Sequence, residues 1–409
     1  MKVILSGNTL LWYQKWQNAI LLGLLTIGTY GVPIYTFSVI LNSMRDIEGW
    51  SVSTLAGIYA SSLLVAGGIA PFAGRFLDNT SPRIILASGL IVGTFFILIA
   101  SISSSQIYFF VFWVIGAGIL GGTTHYNVTM PILAKIYDPT NRTKAYVILT
   151  IIGAMSGPCF VPLAGVLTEN YGWRATVQLL LPVMILFALP AIYGLRNKLP
   201  TPNKGKNPEL PQSTKKLLKS PQVLLTMSIV TLAGLVSSSL ILHQVAMIQA
   251  TGLTLGTAAF LGGLRSFSQI PGRLTLSPLV SKIGISKSLY TLYIVSLAGL
   301  GTLYFAGPLV LCLLFVFLTG AGFGAILPLH GILTADVYGT EKIGALTGIQ
   351  HIAVNIASAL GPLLIGISVD FNGNYEIAIS VLIGIQMLLI ATFYLQQLTT
   401  NHVKSISNE

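Results

Sequence analysis

The stretch GAGILGGTTH at residues 116–125 returns in altered form as GAGFGAILPLH at residues 320–330. Both copies lie inside long apolar stretches, and each copy ends on a histidine. The glycines shift by 204 residues and the histidines by 205. Because a shared shift ties specific residues together, it indicates that the chain contains two copies of one structural unit.

Two further landmarks support this internal repeat. The pair Gly157-Pro158 returns as Gly361-Pro362, and Trp173 corresponds to Tyr375 at a shift of 202. The repeated unit is therefore about 200 residues long, which is half of the chain.

The composition excludes an ordinary soluble protein. Of the 409 residues, 53% are hydrophobic and only 8% are charged, and the mean hydropathy is +0.80. A helix that crosses a bilayer needs about 20 apolar residues. Twelve stretches of this kind are present, at residues 18–40, 53–76, 84–103, 107–134, 145–168, 174–195, 221–249, 254–280, 288–306, 309–335, 344–369 and 375–395. The sequence predicts an all-α membrane protein whose 12 transmembrane helices form two pseudo-symmetric six-helix bundles.

A polar stretch at 196–220 separates the first six spans from the last six. It holds seven Lys or Arg residues and four prolines, and it is too polar to bury a core. We interpret it as a cytoplasmic linker between an N-terminal bundle at 1–195 and a C-terminal bundle at 221–409. Binding of anionic lipid is the alternative role for this stretch.

The positions of the charges predict the topology. Of the 22 Lys and Arg residues, 18 lie in or beside the termini and the even-numbered loops. By the positive-inside rule both termini are cytoplasmic, in a multi-pass protein of the cell membrane. The net charge of +11 therefore reflects the orientation of the chain in the membrane, and we expect no nucleic-acid partner.

The spans contain no metal-ligand spacing, nucleophile motif or paired carboxylates, so we expect neither an enzyme nor a cofactor.

The end of span 2 and the loop after it resemble the signature of the major facilitator superfamily. The matching residues are Gly74, Asp78 and Arg83, while the second half carries Ser277 and Ser281 in place of the glycine and the aspartate. The resemblance covers the whole chain. It implies a monomeric transporter that works by alternating access, in which the three matching residues steady one closed state.

Three short segments are similar to the monocarboxylate porter and oxalate:formate antiporter branch of that superfamily. They lie at 49–51, at 74–83 and at 171–174. This resemblance implies a small mono- or dicarboxylate as substrate, carried by exchange or symport. The glycines and proline between Gly153 and Gly165 resemble an antiporter motif, but span 11 has a similar pattern, and close helix packing explains both.

Span 8 contains two arginines, Arg265 and Arg273, and charge inside a bilayer is costly. The repeat places Ser62 and Ala70 opposite them, so the shared scaffold does not require either arginine. All eleven acidic residues fall in loops, tails or helix ends, at positions 46, 48, 78, 138, 169, 209, 336, 341, 370, 376 and 409. A substrate anion could supply the missing partner, since guanidinium holds a carboxylate with two hydrogen bonds.

The branch resemblance implies that Arg273 binds the substrate, because it matches the branch's span 8 arginine eleven residues before Gly284. Arg265 could contact the substrate or lie against backbone carbonyls. The branch carries a span 11 cation that is absent here, and His351 or Arg265 could replace it.

Further candidates are polar residues in apolar spans, namely Tyr30, Tyr35, His125, Tyr126, Asn127, His243, Gln244, Gln269 and His330. Gln269 stands where many monocarboxylate porters carry an aspartate linked to proton coupling. For each histidine, a buried structural role remains open.

Three other functions compete with organic anion transport. Efflux of a drug is common in the superfamily, but a cationic drug normally requires a buried carboxylate. Inorganic anions such as nitrate would also suit two arginines. A membrane sensor without transport would need a separate signalling partner. Proton symport, if it occurs, would have to run through a histidine because the spans lack an embedded acid.

Overall fold

A computed structural model describes residues 7–195, 218–305, 309–338 and 343–407, and within these ranges every regular element is a helix. The helices are α1 (Gly7–Tyr30), a π-helix (Gly31–Thr36), α2 (Phe37–Glu48), α3 (Val52–Asn79), α4 (Pro82–Ile102), α5 (Gln106–Thr124), α6 (Tyr126–Ile136), α7 (Pro139–Gly153), α8 (Ser156–Gly194), α9 (Pro221–Gln249), α10 (Leu255–Leu274), α11 (Leu276–Ile283), α12 (Ile285–Tyr304), α13 (Leu309–Tyr338), α14 (Ile343–Asn372) and α15 (Glu376–Ser407).

The predicted twelve spans are confirmed. Among the described residues, nine helical stretches are long and apolar enough to cross a bilayer, judged by length and composition. One of them, Thr140–Gly194, holds two spans because the chain turns at Gly172, whose φ of +77° favours glycine. Spans 8 and 9 complete the twelve, as α10 with α11 and as α12. All but the last three residues of the predicted linker lie outside the described residues.

Each half of the chain packs as a bundle, and two pairs of spans form the most extensive contacts between the bundles. Span 2 (α3) lies against span 11 (α14), and span 5 (α7 and the start of α8) lies against span 8 (α10). Small residues permit this close approach: a Cβ added to Gly366 would lie 2.9 Å from the Cβ of Ala56, and one added to Gly165 would lie 2.4 Å from that of Ala259. The repeat makes the two joints equivalent.

Polar contacts join the bundles on the side of the membrane opposite the termini. Because the number of spans is even, both termini share one side, here called the terminal side. On the opposite side, the amide of Asn42 donates to Gln249 Oε1 at 2.8 Å. The carboxylates of Glu169 and Asp370 also bridge the bundles there. The space between the bundles is therefore closed on that side.

Three spans of the first bundle are interrupted near their midpoints. Span 1 passes through the π-helix around Pro33, which has no N–H to donate and whose ring disfavours regular α-helix. Span 4 breaks at His125, whose backbone is extended, and span 5 turns between α7 and α8. The hydroxyls of Thr123 and Thr124 bond to carbonyls four residues back, a pattern that bends helices just before the span 4 break.

Candidate substrate cavity

A cavity of about 360 Å³ lies between the two bundles, beside the interrupted spans. Spans 1, 2 and 4 line it from the first half, and spans 7, 10 and 11 line it from the second. Spans 7 and 10 are the repeat partners of spans 1 and 4, whereas span 11 is the partner of span 5. The lining residues are Tyr30, Ile34, Tyr35, Tyr59, Leu63, Ala66, Gly67, Gly121, His125, Tyr126, Asn127, Gly234, Ser237, Ser238, Ile241, Leu327, Val354, Asn355 and Ser358. A central cavity at the interface of two repeats is where secondary transporters bind substrate.

The lining is polar and aromatic, but it is uncharged. No Asp, Glu, Lys or Arg occurs among these lining residues. Four tyrosines from spans 1, 2 and 4 provide rings and phenol hydroxyls, and asparagines and serines face them from both halves. Such groups hydrogen-bond a polar ligand while the rings cover its apolar part.

Tyr30, His125 and Tyr126 form an aromatic cluster at the span 4 break. The rings of Tyr30 and His125 stack with centroids 3.8 Å apart, and the Tyr30 and Tyr126 centroids are 5.3 Å apart. His125 Nε2 lies 3.1 Å from the carbonyl oxygen of Thr29, on the neighbouring span. Tyr30 and Thr29 thus hold the imidazole in place from span 1.

Five of the predicted site residues come together in this cavity, namely Tyr30, Tyr35, His125, Tyr126 and Asn127. They lie on spans 1 and 4. The two spans therefore provide polar groups to one cavity, in agreement with the sequence analysis. Contact between these five residues and the substrate stays a prediction.

Arg273 lies outside the lining set but bridges the two bundles beside it. From the last turn of α10 its Nη1 donates to the carbonyl oxygen of Thr150, near the end of α7, at 3.2 Å. Its Nε is buried and has no hydrogen-bond partner among the described residues. Its positive charge acts on the phenol groups of Tyr35 and Tyr126, both of which line the cavity.

Arg265 is fully enclosed within the second bundle, with 1% of its surface exposed. Its Nε donates to Thr319 Oγ1 at 2.9 Å, and its Nη1 donates to Gln244 Oε1 at 2.8 Å. The guanidinium carbon also lies 5.9 Å and 6.0 Å from the ring centroids of Phe315 and Phe323. In this conformation Arg265 and Gln244 therefore join spans 7, 8 and 10 and do not line the cavity.

The remaining candidates of the second bundle also lie outside the lining. His243 is buried between the Pro362 carbonyl, 2.9 Å from Nε2, and the Tyr375 hydroxyl, 3.3 Å from Nδ1. His330 Nε2 bonds the hydroxyl of Tyr293 inside the bundle. Gln269 is half-buried, and His351 is exposed.

The residues of the superfamily signature lie on the terminal side. Gly74 is half-buried, and a Cβ added there would meet nothing within 4 Å. Arg83 donates from Nε to the carbonyl oxygen of Leu195, at the end of span 6. The side chain of Asp78 lies outside the described residues. The gating role of these three residues stays a prediction.

The sequence analysis missed the polar residues that spans 2, 7 and 11 contribute, namely Tyr59, Ser237, Ser238, Asn355 and Ser358. The repeat could have identified one member of this set, since a shift of 204 residues takes Ile34 to Ser238. The same shift takes Tyr30 to Gly234, which also lines the cavity. Tyr59 gives no comparable signal because the span 2 counterpart, span 8, does not line the cavity.

Two six-helix bundles around a central polar cavity define a polytopic transporter of the alternating-access class. The sequence pattern described as the Major Facilitator Superfamily matches residues 19–245 and again residues 224–409. The chain therefore belongs to the Major Facilitator Superfamily of transporters, as the Gly74 to Arg83 signature predicted.

Relatives and solved structures agree with this assignment. The chain is 25% identical over 390 residues to the multidrug resistance protein MdtG of Escherichia coli O6:K15:H31 (strain 536 / UPEC), covering 92% of this chain and 91% of the relative. The structure of the nucleoside transporter NupG matches at a TM-score of 0.72 and 15% identity, covering 93% of this chain and 98% of that one. A bacterial homolog of the human lysosomal transporter Spinster, inward-facing and occupied, matches at a TM-score of 0.73 and 14% identity, covering 94% and 97%. At these identities the two structures show the fold alone.

Proposed function

We propose that the protein transports a small organic anion with a carboxylate group, as an exchanger or symporter. The observation that carries the proposal is Arg273, whose Nε is buried without a partner beside a cavity that no acidic residue lines. Among the side chains that the structure describes, no carboxylate forms an ion pair with Arg273. Arg273 is half-buried, and burying part of a guanidinium without a counterion is costly, so a substrate carboxylate would offset that cost.

The Thr150 contact suggests how an anion would act on the protein. Arg273 belongs to the second bundle and Thr150 to the first, so their hydrogen bond ties the bundles together. A carboxylate accepts from guanidinium more strongly than a neutral carbonyl does. An anion in the cavity would therefore compete for Arg273 and release this tie, which is a differential interaction of the kind that shifts an equilibrium between states.

The break in span 4 also favours negative charge. Helix α6 begins at Tyr126, at the cavity and near the middle of the span, and the N-terminus of a helix carries partial positive charge. Broken helices whose N-termini face the site hold anionic substrate groups in other transporters. The amide of Asn127, in the first turn of α6, can add a donor.

The proposal includes the orientation and the working unit. We place the protein in the cell membrane with both termini in the cytoplasm, because the Lys and Arg residues concentrate on the terminal side. Both halves of the cavity come from one chain, so the monomer is the working unit. The similarity of residues 49–51, 74–83 and 171–174 to the monocarboxylate and oxalate branch supports a carboxylate as the anion.

The test is carboxylate counterflow in proteoliposomes, with Arg273→Gln and Arg273→Lys compared with the parent protein. Loss of uptake in the glutamine variant and strongly reduced uptake in the lysine variant are expected, because ammonium lacks the planar fork. Thr392→Val serves as a control, since Thr392 is half-buried, lies outside the cavity lining, and its described side-chain hydrogen bond goes to Leu388 within its own helix. Unchanged uptake in the glutamine variant would refute the proposal.

Export of uncharged aromatic compounds is a second candidate. The observation in its favour is the four-tyrosine, uncharged lining, together with the similarity to MdtG. Under this alternative, dyes and neutral drugs would bind the purified protein and be expelled from vesicles, and Arg273→Gln would leave that export intact. A screen of melting temperature against mono- and dicarboxylates, nitrate and neutral and cationic dyes separates the candidates.

A further inference from the structure

His125 stands at a point where the backbone is neither in α5 nor in α6. Its φ of −81° and ψ of −176° place it in extended conformation between the two helices. The imidazole is 8% exposed, stacks on Tyr30 and lines the cavity. A titratable side chain is thus held at the middle of the membrane, in contact with the space that the substrate would occupy.

The hydrogen bond to Thr29 determines which ring nitrogen carries the proton. A carbonyl oxygen can only accept, so the 3.1 Å contact requires a hydrogen on Nε2. In the neutral ring Nδ1 is then a bare acceptor, and among the described residues it has no hydrogen-bond partner. Nδ1 can take up a proton without breaking the bond to Thr29.

The other described histidines lack this combination. Both nitrogens of His243 are engaged, by a carbonyl and by a tyrosine hydroxyl, away from the cavity. His330 Nδ1 is buried without a partner, but the ring packs against Tyr293 inside the second bundle. His351 is exposed on span 11 and does not line the cavity.

The groups around His125 make its protonation depend on an anion. The titratable neighbours are Tyr30 from α1, Tyr35 from the π-helix, Tyr59 from α3 and Tyr126 from α6, and they are neutral acids near pH 7. The nearby charges are those of Arg265 and Arg273 from α10, which both act on Tyr35, while Arg273 also acts on Tyr126. A proton on Nδ1 would add a further positive charge with no carboxylate in the lining, unless an anion is bound.

We infer that His125 couples transport to protons by accepting one at Nδ1 when the substrate anion binds. The inference rests on the proposed anion transport and adds the coupling ion. A hydronium ion gives its proton to Nδ1, Nε2–H keeps its bond to Thr29, and no covalent bond to the substrate forms. Anion and proton each favour the binding of the other, as linkage requires. When the anion leaves, the proton returns to water on the side where the cavity is open.

The test uses full-length protein in proteoliposomes that contain a pH-sensitive dye. With the parent protein, a proton gradient should drive accumulation of a short carboxylate, and protons should enter with it. His125→Gln, whose amide can still donate to Thr29, should lose both gradient-driven accumulation and proton entry, so that the ratio of gradient-driven uptake to counterflow at equal pH falls. Thr392→Val should behave like the parent.

A second measurement covers the case in which the glutamine variant fails to fold. Addition of a short carboxylate to unbuffered, detergent-solubilised parent protein should cause proton uptake of at most one proton per chain. Counterflow without proton movement in the parent would overturn the role of His125 and leave anion transport standing. Retained proton coupling in His125→Gln would overturn it as well. If the parent shows no carboxylate counterflow, the proposed function itself fails.

Discussion

Glu169 and Asp370 occupy equivalent places in the two halves, and each bonds the first turn of a helix in the other bundle. Glu169, in α8 at the end of span 5, accepts from the backbone N–H of Gly256 at 2.6 Å. Asp370, at the end of span 11, accepts from Val52 and Ser53 at 2.9 Å and 2.8 Å. Carboxylates are favourable at helix N-termini, so the pair forms a two-fold seal on the side opposite the termini.

Neutralising the two carboxylates of this seal should shift the protein toward the state that is open on the side opposite the termini. A carboxylate at a helix N-terminus contributes about 0.3–1 kcal/mol. The variant Glu169→Gln with Asp370→Asn should therefore change the ratio of states by about threefold to thirtyfold. Spin labels at Ile47 and Phe371, both exposed on that side, should report longer distances in a background with Cys159→Ser and Cys312→Ser.

The control for the seal is Glu376→Gln. Glu376 is exposed at the start of α15 on the same side, and no described hydrogen bond from its carboxylate joins the bundles. This control removes one of the two negative charges that the double variant removes, and it leaves the contacts between the bundles in place. Distance distributions that are the same in the double variant, the control and the parent would show that the two carboxylates do not hold the closed state.

Arg265 should act as a structural residue. Replacing it with methionine removes two hydrogen bonds and leaves Gln244 and Thr319 without their donors. Hydrogen bonds between membrane helices contribute about 0.6–2 kcal/mol each, so the purified protein should melt at a lower temperature. Binding of carboxylate to the folded fraction should stay close to that of the parent.

Gln244→Leu provides the matched test for Arg265. Its destabilisation should not add to that of Arg265→Met, because both changes break the same contact. If Arg265→Met instead keeps the melting temperature and weakens carboxylate binding, Arg265 contacts the substrate.

The different placement of the two arginines shows what sequence could and could not provide. Composition and the internal repeat predicted the twelve spans and the two bundles, because a bilayer demands long apolar helices. Sequence also marked Arg265 and Arg273 as exceptional. It could not separate their roles, because the burial of Arg265 depends on Thr319 and Gln244, which two other helices bring to it. Likewise, Ser238 lines the cavity only through the packing of span 7, and serine is ordinary in membrane helices.

Gly157 should be required for the approach of spans 5 and 8. A Cβ at this position would lie 2.5 Å from the Cβ of Ser266, which is closer than real contacts allow, and 3.0 Å from Cε1 of Tyr35. Gly157→Val should therefore hold the bundles apart, reduce counterflow and lengthen the distance between labels at Ile47 and Phe371. Gly384→Val is the control, because a Cβ at Gly384 meets nothing within 4 Å. Equal counterflow in both variants would show that spans 5 and 8 do not need a glycine at position 157 in order to pack. Close packing would then not explain why this region resembles an antiporter motif.

Tyr30 should matter through its ring more than through its hydroxyl. Its ring stacks on His125 with a centroid distance of 3.8 Å, and aromatic pairs of this kind contribute about 0.5–1.5 kcal/mol beyond buried area. Tyr30→Phe keeps the stack, so it should retain proton uptake on carboxylate binding. Tyr30→Leu removes the stack, frees the imidazole to turn away from Thr29 and should lose that uptake, with carboxylate affinity about twofold to tenfold weaker.

The matched control for this pair is Tyr193→Leu, since Tyr193 is 73% exposed and lies outside the cavity. It makes the same change of side chain without touching His125, so it should keep both affinity and proton uptake. Isothermal titration of the purified variants in two buffers of different protonation enthalpy measures affinity and proton uptake together. If Tyr30→Phe loses proton uptake as completely as Tyr30→Leu, the hydroxyl is what holds the imidazole, and the stacking argument fails.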